Sequence, residues 1–529
     1  MAVRARGYWV WVCAASAVAC GGRSLVLDES SSGGSGSATT EPARPTAEAG
    51  APAPTHHGAD AGETSAHDAS AHDDAGDAGS DVSLDGGEFG DASDFADAAG
   101  PSEPFDAGDP SWNTKDVVNP LPDQGPESSS CGQCAANEVC HPNVGCEPAC
   151  DVPTGLDPNA AWPIGGGCAT RRGLSRYSGL KNPKLAFSLG LGGSDADLSS
   201  AITLGENREI YVSGTSAGTP TTSGFLRIDR DGSGAFYPDW LGEVPLLGQN
   251  GVLYTVPVGL QATRRDGSAL WSLRSGFGFP GPHDQEGEPV IGADGTIYSA
   301  GDFDDDTGLF AVSPAGQILW AIRTNSNVGM TTWPAIAKDG TIYFGAADGT
   351  LWAVSPGGKP LWQVSVGDYS WGFPALDHAQ NIYLGNGTHL WSLAPGGQTR
   401  WERSVTVASD EQFVFGHVAI GPDGTVFAPF VDQQGGSFES GVRAYTADGT
   451  LRWSYQDAVY GVSTPVVDRD GILYLTTTNT LHAFSPSGGE VWSTQIPFED
   501  GCASVVLGAD GTTLVKCGAS LYGFRESSP

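Results

Sequence analysis

Beyond residue 180 apolar and polar positions alternate with period two, and Gly, Asp-Gly or Pro-Gly breaks the alternation at short intervals. Residues 333–366 show the unit most plainly: WPAIAKDGTIYFGAADGTLWAVSPGGKPLWQVSV. Four alternating runs, 333–337, 341–346, 350–355 and 359–366, are separated by Asp339-Gly340, Asp348-Gly349 and Pro356-Gly357-Gly358. Period two sends successive side chains to opposite faces of a strand, and Asp-Gly between such runs signals a hairpin. The unit therefore reads as a four-stranded antiparallel meander.

Two aromatic series count the repeats. A second-strand aromatic recurs at Tyr211, Tyr254, Tyr298, Tyr343, Tyr383, Phe427 and Tyr474, and Leu514 takes the last place. A fourth-strand aromatic recurs at Phe187, Phe236, Trp271, Trp320, Trp362, Trp401, Trp453 and Trp492. Each series has eight members with a mean spacing of about 43 residues, a propeller-blade period. Phe187 precedes the first full unit, while the last unit stops after its third strand at LYGFRE (521–526). A strand over 183–190 completes that last unit and closes the ring, removing the sheet edges an open array would expose. The expected fold is all-β, an eight-bladed β-propeller of four-stranded antiparallel blades over residues 176–529, monomeric.

The repeats resemble the pyrroloquinoline-quinone-like β-propeller repeat family. The resemblance rests on AVSPAGQILW (311–320), AVSPGGKPLW (353–362), SLAPGGQTRW (392–401), AYTADGTLRW (444–453) and AFSPSGGEVW (483–492). In that pattern a small residue and an aliphatic enter a turn, Gly makes the turn, and Trp closes it; the resemblance implies that the Trp packs between neighbouring blades. WPIGGGCATRRGLSRYSG (162–179) is similar to the family's lead-in segment, with Cys168 an unusual insertion.

The rest of the chain is built differently. Residues 1–20 read MAVRARGYWVWVCAASAVAC: two arginines, an apolar stretch, then small residues ending at Cys20. That is a secretory signal, too short for a membrane span. Its end resembles a bacterial lipobox, which implies cleavage after residue 19 and lipidation of Cys20; Gly21 in place of Asp implies the outer membrane of a Gram-negative cell. Residues 20–130 are a tether of Ser, Gly, Ala, Asp, Thr and Pro, and 21–130 hold 22 acidic and 3 basic side chains. Such a segment cannot bury enough apolar area to offset its conformational entropy. His56, His57, His67 and His72 read as part of this solvated tether rather than as a metal tract.

Ten cysteines occur. With Cys13 in the signal and Cys20 lipidated, eight remain. Cys131, Cys134, Cys140, Cys146, Cys150 and Cys168 crowd into a module over 131–170 that has no core of its own, so disulfides would staple it in an exported chain. Six cysteines allow fifteen pairings, and sequence does not choose among them. The opening CGQC could also suggest zinc or a redox pair, but the second cysteine pair or βαβ setting those need is missing. Cys502 and Cys517 flank Gly508-Ala509-Asp510-Gly511 in the last unit. A four-residue loop there pairs Leu507 with Thr512 and sets Cys502 opposite Cys517, close enough for a disulfide. A two-residue Asp510-Gly511 loop would instead oppose Cys502 to Ala519.

Charge and motifs narrow the function classes. With 62 acidic and 26 basic residues the net charge is −36, which excludes the basic face a nucleic-acid partner needs. No apolar run of 18 or more residues follows the N-terminus, so no spanning helix is expected. The family's catalytic branch, the quinoprotein dehydrogenases, implies adjacent cysteines near the quinone, a calcium held by Glu and Asn, and an Asp base. No adjacent cysteines occur, and no matching set can be placed. No His, Ser and Asp constellation is visible among His378, His389, His417 and His482. In GDFDDDTGLF (301–310), Asp302, Asp304 and Asp306 alternate before Gly308 and form a weak calcium candidate; the calcium-hand pattern wants Gly one place earlier and a distal Glu. The expected function is a lipid-anchored binding or scaffolding propeller, without cofactor, for a protein or glycan partner. The alternative is a quinone-dependent oxidoreductase.

Overall fold

The Gly and Asp-Gly breaks become turns, and the runs between them become strands. The structure, a computed structural model, describes the backbone of 138–141 and 145–148 and residues 152–527 apart from 192–200, 216–222, 230–232, 239–244, 257–259, 274–287, 304–305, 325–331, 347, 368–371, 406–411, 435–436, 460 and 498–500. Cys20, the tether, Cys131, Cys134, Cys150 and Asp304 lie outside the described residues.

Eight antiparallel sheets follow in chain order. Blades 1 to 7 span 202–238, 246–273, 290–323, 335–365, 375–404, 412–457 and 466–495. Blade 8 takes its first three strands from Ser504–Leu507, Thr513–Cys517 and Ser520–Glu526 and its fourth from Pro183–Gly190. Lys184 pairs with Arg525, Phe187 with Gly523 and Gly190 with Ser520. The ring thus closes through the backbone pairing of residues 183–190 with 520–526. First strands are short and fully buried, as at Ala335–Ile336, while fourth strands alternate exposed and half-buried positions, as at Pro360–Ser365. This gradient orders each sheet from the axis outward. Among the described residues blade 6 alone has a fifth strand, Gln412–Phe415, against a hairpin of two nine-residue strands, Val426–Gln434 and Ser437–Tyr445.

The turns differ from both loop lengths weighed on the sequence. Between first and second strands the loop is three residues, closed in blade 4 by Ala337 N–H to Thr341 O at 2.8 Å and in blade 8 by Gly508 N–H to Thr512 O at 2.8 Å. Its third residue is left-handed in every blade: Gly251, Gly295, Gly340, Gly424, Gly471 and Gly511 in six, Arg208 and Gln380 in the others. A type I turn followed by a left-handed residue makes a three-residue hairpin, and the glycine of Asp-Gly occupies that third place.

This corrects the register of the last blade. Leu507 pairs with Thr513, not Thr512, so the ladder carried outward would set Cys502 opposite Gly518. The strand leaves the ladder before that point: Ala503 N–H still bonds Lys516 O, but Ala503 O accepts from Thr464 N–H, just ahead of blade 7, and Cys502 O from the Thr476 hydroxyl within it. This bend brings the Cys502 and Cys517 Cα atoms to 4.0 Å, with their sulfurs bonded.

Blades are joined by their fourth-strand tryptophans. Trp271, Trp320, Trp362, Trp401 and Trp453 each donate Nε1–H to a carbonyl in the next blade's outer turn: Pro314, Pro356, Pro395, Ala447 and Pro486, at 2.9–3.0 Å. The indole lies flat on the glycine of that turn; a Cβ on Gly316 would come within 2.6 Å of Trp271. Trp492 meets a blade whose outer turn is interrupted by ring closure, and it bonds Leu180 O at 2.8 Å.

Candidate functional site

The axis-facing edges of the first strands need hydrogen-bond partners, because a buried unpaired backbone group is costly. Residues 154–173 supply them. Trp162 exchanges two bonds with Leu204 of blade 1, and Leu247 of blade 2 donates to Pro163 O. Gly155 N–H donates to Ile291 O of blade 3. Ile336, Leu376, Ile420 and Val467, in blades 4 to 7, donate to Ala169, Thr170, Arg172 and Gly173 at 2.8–2.9 Å. One stretch of chain therefore reaches the first strands of seven blades, which only a path around the common axis permits. Residues 152–170, grouped on sequence with the Cys-rich module, are part of this axial packing; buried Cys168 within it is disulfide-bonded.

Arg171, near the C-terminal end of this segment, is fully buried. Its Nε donates to Pro334 O at 2.7 Å; Nη1 donates to Gly165 O at 3.0 Å and Glu288 Oε2 at 2.7 Å; Nη2 donates to Glu288 O at 2.7 Å and Pro289 O at 3.0 Å. Burial pulls the guanidinium below its ordinary value, and the Glu288 carboxylate opposes that shift. Glu288 also accepts Gly165 N–H, an approach only glycine allows: a Cβ there would lie 2.5 Å from the carboxylate and 2.8 Å from Trp333. The guanidinium rests 5.1 Å from the Trp333 ring centre and 5.6 Å from that of Phe373. Trp333 stacks on Phe373 at 5.1 Å, and Phe373 on His417 at 3.8 Å. His417 Nδ1 accepts Phe373 N–H. Burial, aided by the Arg171 charge, pushes this imidazole down to about 3.

The chemistry available here is limited. Every Arg171 nitrogen is bonded and the Glu288 carboxylate is occupied by Arg171 and Gly165, so neither is poised for a substrate. Glu288, Trp333, Phe373 and His417 hold the same place in four successive blades, two residues before Val290, Ala335, Ala375 and Ala419. Aligned repeats carry that signal as the residue ahead of Pro289, Pro334 and Pro374, yet period two and turn residues do not mark it.

The model of the family described as outer membrane protein assembly factor BamB matches residues 259–428 and 347–518, within the ring. The propeller belongs to the pyrroloquinoline-quinone-like repeat family. Among solved structures of this family's fold is a quinohemoprotein alcohol dehydrogenase from Pseudomonas putida HK5, at 12% identity and TM-score 0.55, covering 70% of this chain and 82% of that one. BamB from Moraxella catarrhalis aligns at 13% identity and TM-score 0.34 over 52% and 94% of the two chains. Streptogramin B lyase aligns at 11% and 0.37 over 53% and 91%. No curated protein matches the chain.

The family's catalytic branch would place a quinone and calcium. The axial residues do not fit that pair, since the buried carboxylate is tied to Arg171; among the described residues no three His, Cys, Asp or Glu gather as a metal site. The backbone register pairs Asp302 with Thr307 and Asp306 with Phe303, on successive rungs of one hairpin. The backbone register pairs Cys140 with Cys146. The propeller histidines fall at separate places. His378 is exposed in a turn, His389 meets Glu402 at 2.6 Å, and His482 bonds Thr477 and Glu490 at 2.9 and 2.8 Å within blade 7.

Proposed function

We propose that this chain is an exported, lipid-anchored propeller that binds or scaffolds a protein or glycan partner at the outer membrane or cell surface. The observation that carries the reading is the axis. A propeller's central channel is its natural small-ligand chamber, and here the chain's own segment occupies it with a saturated Arg171–Glu288 pair. Interaction is then left to the faces of the ring. One face is made of uniform three-residue turns. The strand ends from which the connections between blades depart, of 7 residues (239–245) to 16 (274–289), lie at the other, with the long hairpin of blade 6. Variable connections on a rigid scaffold are where recognition concentrates. The assembly-factor description of the matching family supports the same reading.

Purification from the native envelope, with mass spectrometry of co-eluting proteins, tests it. A partner is expected to co-purify with the wild-type chain, and Cys20→Ser is expected to abolish fatty-acid labelling and release the chain from membranes. Dye-linked alcohol oxidation on adding quinone and calcium would overturn the binding role. Lipid labelling that survives Cys20→Ser would overturn the anchor.

A further inference from the structure

Each blade ends in a strand with one side unpaired. Among the described residues the fourth strand pairs only with the third, and its outer edge faces away from the ring. Such an edge is a template for a further strand, and proteins guard it with proline or charge. Six of the eight rim strands are guarded. Pro238 closes that of blade 1, Pro360 opens that of blade 4, and Pro183 with Lys184 opens that of blade 8. Blade 5 carries Arg400, Glu402 and Arg403, blade 6 Arg452 and Asp457, and blade 7 Glu490. Blades 2 and 3 are the exceptions. Ala269–Leu273 has neither proline nor charge, and Ile318–Arg323 runs through five apolar residues before its terminal arginine.

Blade 3 is the more open of the two. Every exposed large aliphatic among the described residues lies in a rim strand, and Leu319, at 53%, is the most exposed, with Ile318 beside it at 40%. The blade 2 strand is one residue shorter and exposes Leu270 alone. A bulge interrupts the blade 3 ladder between Ala311 and Val312, but it recurs in blades 2 and 4 to 7 and does not set blade 3 apart. Past the bulge the strand is regular. Ile322 O points at the third strand, into the place a Cβ on Gly308 would take, so Ile322 and its partner Leu309 form a hydrogen-bonded pair. Such pairs alternate along an antiparallel ladder, so Ala321 turns its N–H and C=O outward. Its side chain is exposed as well.

We propose that the outer edge of blade 3 accepts an added β-strand: an extended, aliphatic-bearing segment of a partner protein, bonded to the backbone around Ala321 with its side chains against Leu319. In this mode main-chain bonds supply affinity and side chains supply specificity. The inference rests on the binding role proposed above and names a surface and a partner class for it. The probe is a fluorescent octapeptide of alternating valine and threonine with lysine at each end, titrated into the full chain and followed by anisotropy. It saturates one site. Ala321→Pro removes an N–H that no ladder bond uses, a change tolerated on an edge. Its melting temperature stays at the wild-type value while binding weakens at least ~10-fold, the scale of one or two lost backbone hydrogen bonds. Leu319→Lys supplies a guard of the kind the sibling strands carry and weakens binding likewise, so the test stands even if the proline variant misfolds. Ser493→Pro, at the same place in blade 7, leaves binding unchanged. The peptide N-methylated at every valine and threonine does not bind. No saturable binding, equal binding by wild type and a folded blade 3 variant, weakening by Ser493→Pro, or binding of the N-methylated peptide overturns the proposal. A concentration-dependent dimer that Leu319→Lys dissolves also overturns it, by giving the edge to a second copy. A native partner that co-purifies equally with wild type and Leu319→Lys would leave the binding role standing and remove it from this edge.

Discussion

His417 shows how one residue couples burial to pH. It lies against Phe373 and near Arg171, with Glu288 on the far side of the guanidinium, and it is neutral in the fold because its proton affinity is pushed down to about 3. Unfolded, it titrates at its ordinary 6.5. A depressed folded value means that the unfolded chain takes up the proton first, so the neutral imidazole's contribution is complete above about pH 6.5 and is lost as pH falls. By pH 4.5 the two intervening units amount to roughly 3 kcal/mol. His417→Gln keeps an acceptor for Phe373 N–H and has no proton to gain. The melting temperature of the wild type is expected to drop more between pH 7 and pH 4.5 than that of His417→Gln. Parallel drops would place the acid sensitivity elsewhere. Arg171 carries a larger stake, since removing one partner of a buried pair leaves an uncompensated charge and typically costs about 3–5 kcal/mol. Arg171→Met is therefore expected to lower the melting temperature more than any rim substitution, read by thermal unfolding at neutral pH.

At the scale of the element, each blade states itself locally, and that is why the fold was legible. Period two, an aromatic in the second strand and Trp in the fourth are properties of one meander and recur where the next meander begins. Turn length was less legible, because Asp-Gly fits more than one hairpin loop; the glycine's place as third residue, left-handed in the fold, decides it. That one-residue difference moved the ladder of blade 8, and only the bend at Ala503 brings Cys502 to Cys517. The axial residues were not legible. Arg171 and Glu288 are 117 positions apart, and no local pattern pairs them. The tryptophan seams are open to direct test. Trp362 is half-buried and donates to Pro395 O across the blade boundary. Trp362→Ala is expected to cost about 2–3 kcal/mol, below the ~3–5 kcal/mol of a fully buried aromatic, and Trp362→Phe about 1 kcal/mol for the lost hydrogen bond. Denaturant unfolding measures both; a Phe variant as damaged as the Ala variant would shift the weight from the ring to the N–H.

The whole molecule depends on a non-covalent closure. The strand Pro183–Gly190 is the outer wall of blade 8, and the segment ahead of it threads the axis, so everything from 152 to 190 is held by blades that come later in the chain. Long-range pairing of this kind forms late and slowly, since loop closure must precede the contacts that reward it. Once formed, it should hold without the peptide bond that follows it. A protease site placed at Gly193, between the closing strand and blade 1, separates a fragment containing the axial segment and the closing strand from one containing blades 1 to 7 and the rest of blade 8. The first fragment keeps seven register pairs with Ser520–Glu526 and the bonds of residues 154–173 to seven blades. Among the described residues the second has no other strand to pair with the outer edge of Ser520–Glu526. The two fragments are expected to co-elute on gel filtration in native buffer and to part only in denaturant. Their separation in native buffer would mean that the ring stands without its closing strand and that the axial segment is a passenger rather than a structural member.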